Sequence, residues 1–135
     1  MKLYADEEGS EIVRALPIPT VSAVARVEVP AALWRKFRMG DLGRRHTAFL
    51  VEVFEADFEG TRREPPRFSI VSLHDRLLRE AAGLVGSQGL RAYDAVQLAT
   101  ALAVRRSDSE ARSFACFDRT LRTAAAAHGF ALVPA

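Results

Sequence analysis

One cysteine, Cys116, is all the thiol chemistry this sequence has. A disulfide framework and a cysteine-rich zinc site are therefore excluded. Histidine is nearly as sparse. His46, His74 and His128 fall on three separate predicted helices, which argues against a histidine metal site, and His128 before Gly129 suits a helix C-terminus. No apolar run approaches the ~20 residues of a membrane span. The opening "MKLYADEEGS" is too acidic for a signal peptide. These absences lead to the expectation of a soluble protein of the cytoplasm. There is no Gly-rich phosphate loop, "VGSQG" lacks the spacing of a dinucleotide fingerprint, and no linker, low-complexity tract or repeat interrupts the chain.

What is there is an ordinary globular balance. The 135 residues are 49% hydrophobic and 27% charged, which suits a single domain over residues 1–135 and argues against disorder. The net charge of +2 hides an imbalance, with two lysines, Lys2 and Lys36, against seventeen arginines. The guanidinium fork suits phosphates and carboxylates, although GC-rich codons also enrich arginine. An arginine-rich surface thus permits nucleic-acid binding without requiring it.

Hydrophobic periodicity and breakers give the element order. A helix is expected over 6–16, stopped by Pro17 and Pro19, then a strand in "TVSAV" (20–24). A helix runs from about 22 or 23 to Gly40, with Val24, Val27, Ala31 and Trp34 at helical spacing. Pro30 inside it predicts a kink or an early start. A second amphipathic pattern over 41–60 has Leu42, Phe49 and Val53 on its apolar side. A loop (61–67), a strand (68–73), helices at 74–89 and 93–106, a strand (113–117), a helix (118–129) and a strand (130–134) follow. Alternating short strands and helices predict an α/β fold, a mostly parallel sheet covered by helices on both faces. Sites in such folds lie beyond the carboxyl ends of the strands.

Three carboxylates stand out against apolar surroundings. Asp94 opens the most apolar helix, "YDAVQLATALAVRR". Glu28 is the only acid in "VARVEVPAALW". Asp118 follows the strand "SFACF" where a helix begins. Each has a structural alternative: a helix N-cap for Asp94 and Asp118, and a salt bridge to Arg26, Arg35 or a distant arginine for Glu28. Together, acids converging on a strand-end rim would repel one another unless a cation lay between them. Oxygen ligands of this kind suit Mg²⁺ or Mn²⁺, and the natural chemistry is phosphodiester hydrolysis.

The segments "GLRAYDAVQLATALA", "FACFDRTLRTAAAAHGF" and "VARVEVPAAL" resemble PIN-domain ribonucleases of the VapC toxin type, a likeness running from about Leu3 to Val133. The resemblance implies a three-layer α/β/α sandwich and Mg²⁺- or Mn²⁺-dependent cleavage of RNA of the tRNA or rRNA class. It also implies a homodimer and a cognate antitoxin protein that reaches into the active site. By position, Glu28, Asp94 and Asp118 match the family's second, third and fourth acids, serving both as metal ligands and as catalytic residues. Cys116 stands where the family commonly has a small polar residue, and Gln97 where histidine is frequent. Arg91 and Arg119 are the expected phosphate contacts.

The resemblance also implies a first strand carrying a first aspartate, in a segment like "YLDTSALVKLY…EEGS". The sequence matches only the end of that segment. Three accounts fit: a protein that begins upstream, a shortened chain, or a divergent relative that pairs its sheet differently. The first is favoured. A catalytically incomplete PIN-fold module that binds antitoxin or RNA is the alternative function, and an in-frame "LDTS"-like stretch upstream of the start codon would favour the enzyme.

Overall fold

The computed structural model describes Glu11 and residues 18–135. The helix expected over 6–16 lies outside the described residues apart from Glu11, which is helical. Among the described residues the fold is α/β. The order is β1 (Thr20–Ser22), α1 (Ala25–Arg38), α2 (Arg44–Glu59), β2 (Ser69–Val71), α3 (Asp75–Gln88), α4 (Ala92–Ser107), β3 (Ser113–Ala115), α5 (Arg119–Ala127) and β4 (Ala131–Val133). This is the order that periodicity predicts from residue 20 onward. The strands pair two by two, β1 with β2 and β3 with β4. The chain divides into two compact units, residues 1–70 and 71–135.

The first unit is organised by a helical hairpin. Helix α1 buries Ala25 and Leu33 and half-buries Val29, a stripe at i, i+4 and i+8. The expected stripe through Val27, Ala31 and Trp34 is not the buried one, since Val27 is 68% exposed. Helix α2 shows the same displacement. Thr47, Leu50, Phe54 and Phe58 are buried, whereas Phe49 is 60% exposed. Both helices carry apolar residues on two separate stripes, roughly 125° apart on α2 and on nearly opposite faces of α1, so spacing alone cannot choose between them. Phe54 decides it, packing against Phe58 at 5.6 Å and Phe68 at 6.3 Å between ring centroids. Pro30 lies inside α1, which starts five residues earlier at Ala25 and continues to Arg38. Glycine ends the helix. Gly40, at φ +82°, donates to the Phe37 carbonyl at 3.0 Å while Asp41 N–H reaches Lys36 at 2.9 Å, the paired bonds of a Schellman motif.

The second unit holds the larger core. Leu77, Ala81 and Leu84 of α3 face Ala95, Leu98 and Ala99 of α4, and Phe114, Leu121, Ala124, Ala125 and Phe130 complete the cluster. The alanines let the two helices approach closely. Burying a leucine or phenylalanine side chain here stabilises by roughly 1.5–3 kcal/mol. The buried hydroxyl of Thr100 donates to Val96 O at 2.7 Å, so it is satisfied within its own helix. Strands β3 and β4 are parallel, with Phe114 opposite Leu132. Helix α5 ends in a second Schellman motif. Gly129, at φ +86°, and Phe130 donate to Ala126 and Ala125, which turns the chain into β4. Arg105 of α4 secures this corner by donating to His128 O at 2.7 Å and lying 4.2 Å over the Phe130 ring. No helix among the described residues is long and apolar enough to cross a membrane.

Candidate functional site

The carboxyl ends of β3 and β4 define a rim in the second unit. Pairing continues one residue past β3, where Cys116 N–H donates to Val133 O at 3.2 Å. The chain then leaves the ladder and reaches Asp118, the N-cap of α5. Its Oδ1 accepts from Leu121 N–H at 2.9 Å. This satisfies one of the unpaired amides at the helix start and fixes the carboxylate's direction. A carboxylate has two oxygens, so capping through Oδ1 does not exhaust Asp118.

Asp94 belongs to α4 of the same unit. It is not the cap of that helix, which is Arg91 without a side-chain cap bond. Asp94 lies in the first turn, half-buried, near the positive end of the helix dipole, which favours a carboxylate. The thiol of Cys116 responds to the charge of both acids. Burial is the main reason its pKa is pushed up to about 11, Arg122 opposes the shift, and the charges of Asp118 and Asp94 both add to it. Asp94 and Asp118 thus both lie within electrostatic range of one buried, neutral sulfur.

Arg122 completes the rim. It donates from Nη1 to Cys116 O at 3.0 Å and from Nη2 to Pro134 O at 2.9 Å. The motif reading singles out Arg91 and Arg119 and passes over this residue. Its partners are main-chain carbonyls, so no side-chain spacing signals it. Arg91 and Arg119 are exposed and flank the starts of α4 and α5. Glu28 lies half-buried on α1 in the first unit. His74 caps α3 through Nδ1, accepting from Leu77 N–H at 3.3 Å, a structural role.

Among the described residues, no three histidine, cysteine, aspartate or glutamate side chains are gathered into a metal site. The donor chemistry of the rim still fits a hard cation. Mg²⁺ keeps several waters and is commonly held by one or two carboxylates together with substrate phosphate. Asp94 and Asp118 supply two carboxylates, and the protonated thiol of Cys116 adds no soft ligand. Comparison of the chain with protein-family models and with curated proteins found no match.

Proposed function

We propose that this chain is a PIN-fold ribonuclease domain of the VapC toxin type, which hydrolyses RNA phosphodiester bonds with a divalent metal. The observation that carries the reading is that the charges of Asp94 and Asp118 both act on Cys116, which lies just past the first of two parallel strands, on the side where sites of an α/β fold lie. The architecture proposed with it is the three-layer α/β/α sandwich.

In this reading Asp94 and Asp118 hold Mg²⁺ or Mn²⁺. Such an ion, when bound, promotes ionisation of water and offsets charge on the phosphate. The chain's own residues do the rest. The cap bond orients Asp118, Arg122 fixes the backbone beside it, and Arg91 and Arg119 meet substrate phosphate. The neutral Cys116 thiol keeps a third negative charge away from the two acids. The physiological setting proposed is the cytoplasm, with a homodimeric toxin, an RNA of the tRNA or rRNA class as substrate, and an antitoxin protein as inhibitor.

The test is cleavage of labelled tRNA and rRNA fragments in Mg²⁺ or Mn²⁺. Chelation and Asp94→Asn are each expected to abolish it, and undiminished cleavage by Asp94→Asn would remove Asp94 from the mechanism. The lack of a three-donor cluster among the described residues favours a second reading, a PIN-fold module that binds RNA or antitoxin without cutting. Binding without cleavage at any metal concentration would establish it.

A further inference from the structure

The described arginines divide by what their guanidinium groups do. Arg26, Arg67, Arg76, Arg79 and Arg106 pair with carboxylates. Arg105, Arg112 and Arg122 donate to backbone carbonyls. The others have neither kind of partner among the described residues, and four of them crowd one short turn. Arg35 and Arg38 end α1, while Arg44 and Arg45 open α2. All four are exposed, and Asp41 is the single acid between residues 35 and 46.

Helix electrostatics account for only half of this cluster. At the end of α1, basic side chains complement the negative end of the dipole. At the start of α2 the sign is wrong. Arg44 and Arg45 sit at the positive end, no acid occupies the first turn, and Gly43 provides no side-chain cap. Local stability favours carboxylates at that position, so the two guanidinium groups add positive potential at the helix's expense. The turn is also braced. The Schellman bonds at Gly40 and Asp41 fix the end of α1. Arg44 lies 4.9 Å over the Phe37 ring, and Trp34 meets Phe37 edge-on at 5.7 Å. Exposed, unpaired guanidinium forks, one of them stacked on an aromatic ring, are the chemistry that recognises a phosphate backbone.

We infer that the α1–α2 turn, through Arg35, Arg38, Arg44 and Arg45, is a phosphate-backbone binding surface for RNA. The choice of RNA rests on the ribonuclease reading, whereas the unpaired positive charge is a property of the first unit by itself. Binding here positions RNA without reading its sequence, and it weakens steeply with salt.

The experiment measures fluorescence anisotropy of a labelled single-stranded RNA with the full chain, in chelator so that no cleavage intervenes. Arg38→Gln/Arg45→Gln is compared with Arg62→Gln/Arg63→Gln, which removes equal charge from the loop after α2. Arg44 is left in place so that its contact with Phe37 survives. The first pair is expected to bind at least tenfold more weakly, with the slope of log affinity against log salt falling by about 1.4 for two lost contacts. The second pair is expected to bind within about threefold of wild type. Equal losses in both pairs, or no loss in the first, would overturn the proposal. So would binding to phosphatidylserine vesicles that needs Arg38 and Arg45 when RNA is not bound. RNA held through the turn yet never cut in Mn²⁺ would sink the ribonuclease reading and leave this surface standing. RNA cut by a protein whose binding ignores the turn would do the reverse.

Discussion

Arg122 holds the backbone carbonyl of Cys116 with one guanidinium nitrogen, at 3.0 Å. The other nitrogen reaches Pro134 O at 2.9 Å, so a single side chain ties the exit of β3 to the exit of β4. Two short parallel strands of three residues each have few ladder bonds of their own, and the strap supplements them where Asp118 must be held. Charge-assisted hydrogen bonds contribute roughly 1.5–3 kcal/mol each when well shielded. Arg122 is half-buried, and Arg122→Ala is expected to cost about 2 kcal/mol in urea unfolding. Arg122→Lys, a point charge without the fork, is expected to recover less than half of that.

Cys116 is expected to be chemically quiet. With the thiol pushed up to about 11, chiefly by burial, only about one molecule in ten thousand carries the reactive thiolate at pH 7. Alkylation by iodoacetamide at pH 8 should be much slower in the native chain than in urea. The folded pKa lies above the ordinary value of 9.0, so this group's contribution to stability is complete below about pH 9. It is lost as pH rises toward 11, because the unfolded thiol ionises first. The fall in stability from pH 8.5 to 10.5 should be shallower in Cys116→Ala than in wild type. Parallel curves for the two proteins would refute the thiol's part in alkaline lability.

Glu80 gives the opposite sign. Its carboxylate accepts from Arg106 Nη2 at 2.8 Å and from Arg76 Nε at 3.3 Å. The Arg106 bond is the main reason its pKa is lowered from 4.5, with Arg76 adding to the effect and desolvation opposing it. A depressed carboxylate contributes stability above the unfolded pKa and loses it as pH falls through the folded one. Thermal melts below about pH 4.5 should therefore decline more steeply in wild type than in Glu80→Gln. The difference should shrink in 1 M salt, where exposed ion pairs are screened.

Two glycines of the second unit should respond to alanine with opposite signs. Gly129 holds φ +86° in the motif that turns α5 into β4, and an L side chain in the left-handed region costs about 1–2 kcal/mol. Gly83 lies inside α3 with nothing within 4 Å of an added Cβ. Alanine there should stabilise by about 0.5–1 kcal/mol through helix propensity. Denaturant midpoints of the two variants on either side of wild type would match this assignment of the two sites.

Element order was legible from residue 20 onward because strong local signals mark it: Gly40, Gly89 and Gly129 as stops, "SFACF" and "FALVP" as short apolar runs. Asp118 was legible as a cap because a strand ends just before it. Asp94 was ambiguous from sequence, since cap and first-turn positions differ by only a few residues, and the structure puts Arg91 at the cap. Arg122 was not legible, because its partners are main-chain carbonyls that no side-chain pattern announces. The buried faces of α1 and α2 were misread for a physical reason. Where two separate stripes of one helix are both apolar, the choice falls to tertiary contacts such as Phe54 on Phe68.

That choice can be tested within one helix. Phe49 and Phe54 are the same residue type on α2, five positions and so about 140° apart around the axis. Phe54 is 2% exposed and Phe49 60%. Phe54→Ala removes the ring at the centre of the Phe58 and Phe68 contacts, and a buried Phe→Ala change costs about 3–5 kcal/mol. Phe49→Ala should change stability by less than about 0.5 kcal/mol, as ordinary surface substitutions do. Urea unfolding of the two variants gives the comparison directly. Equal losses would mean that α2 presents a different face to its core, and the stripe through Phe49 and Val53 would then be the buried one.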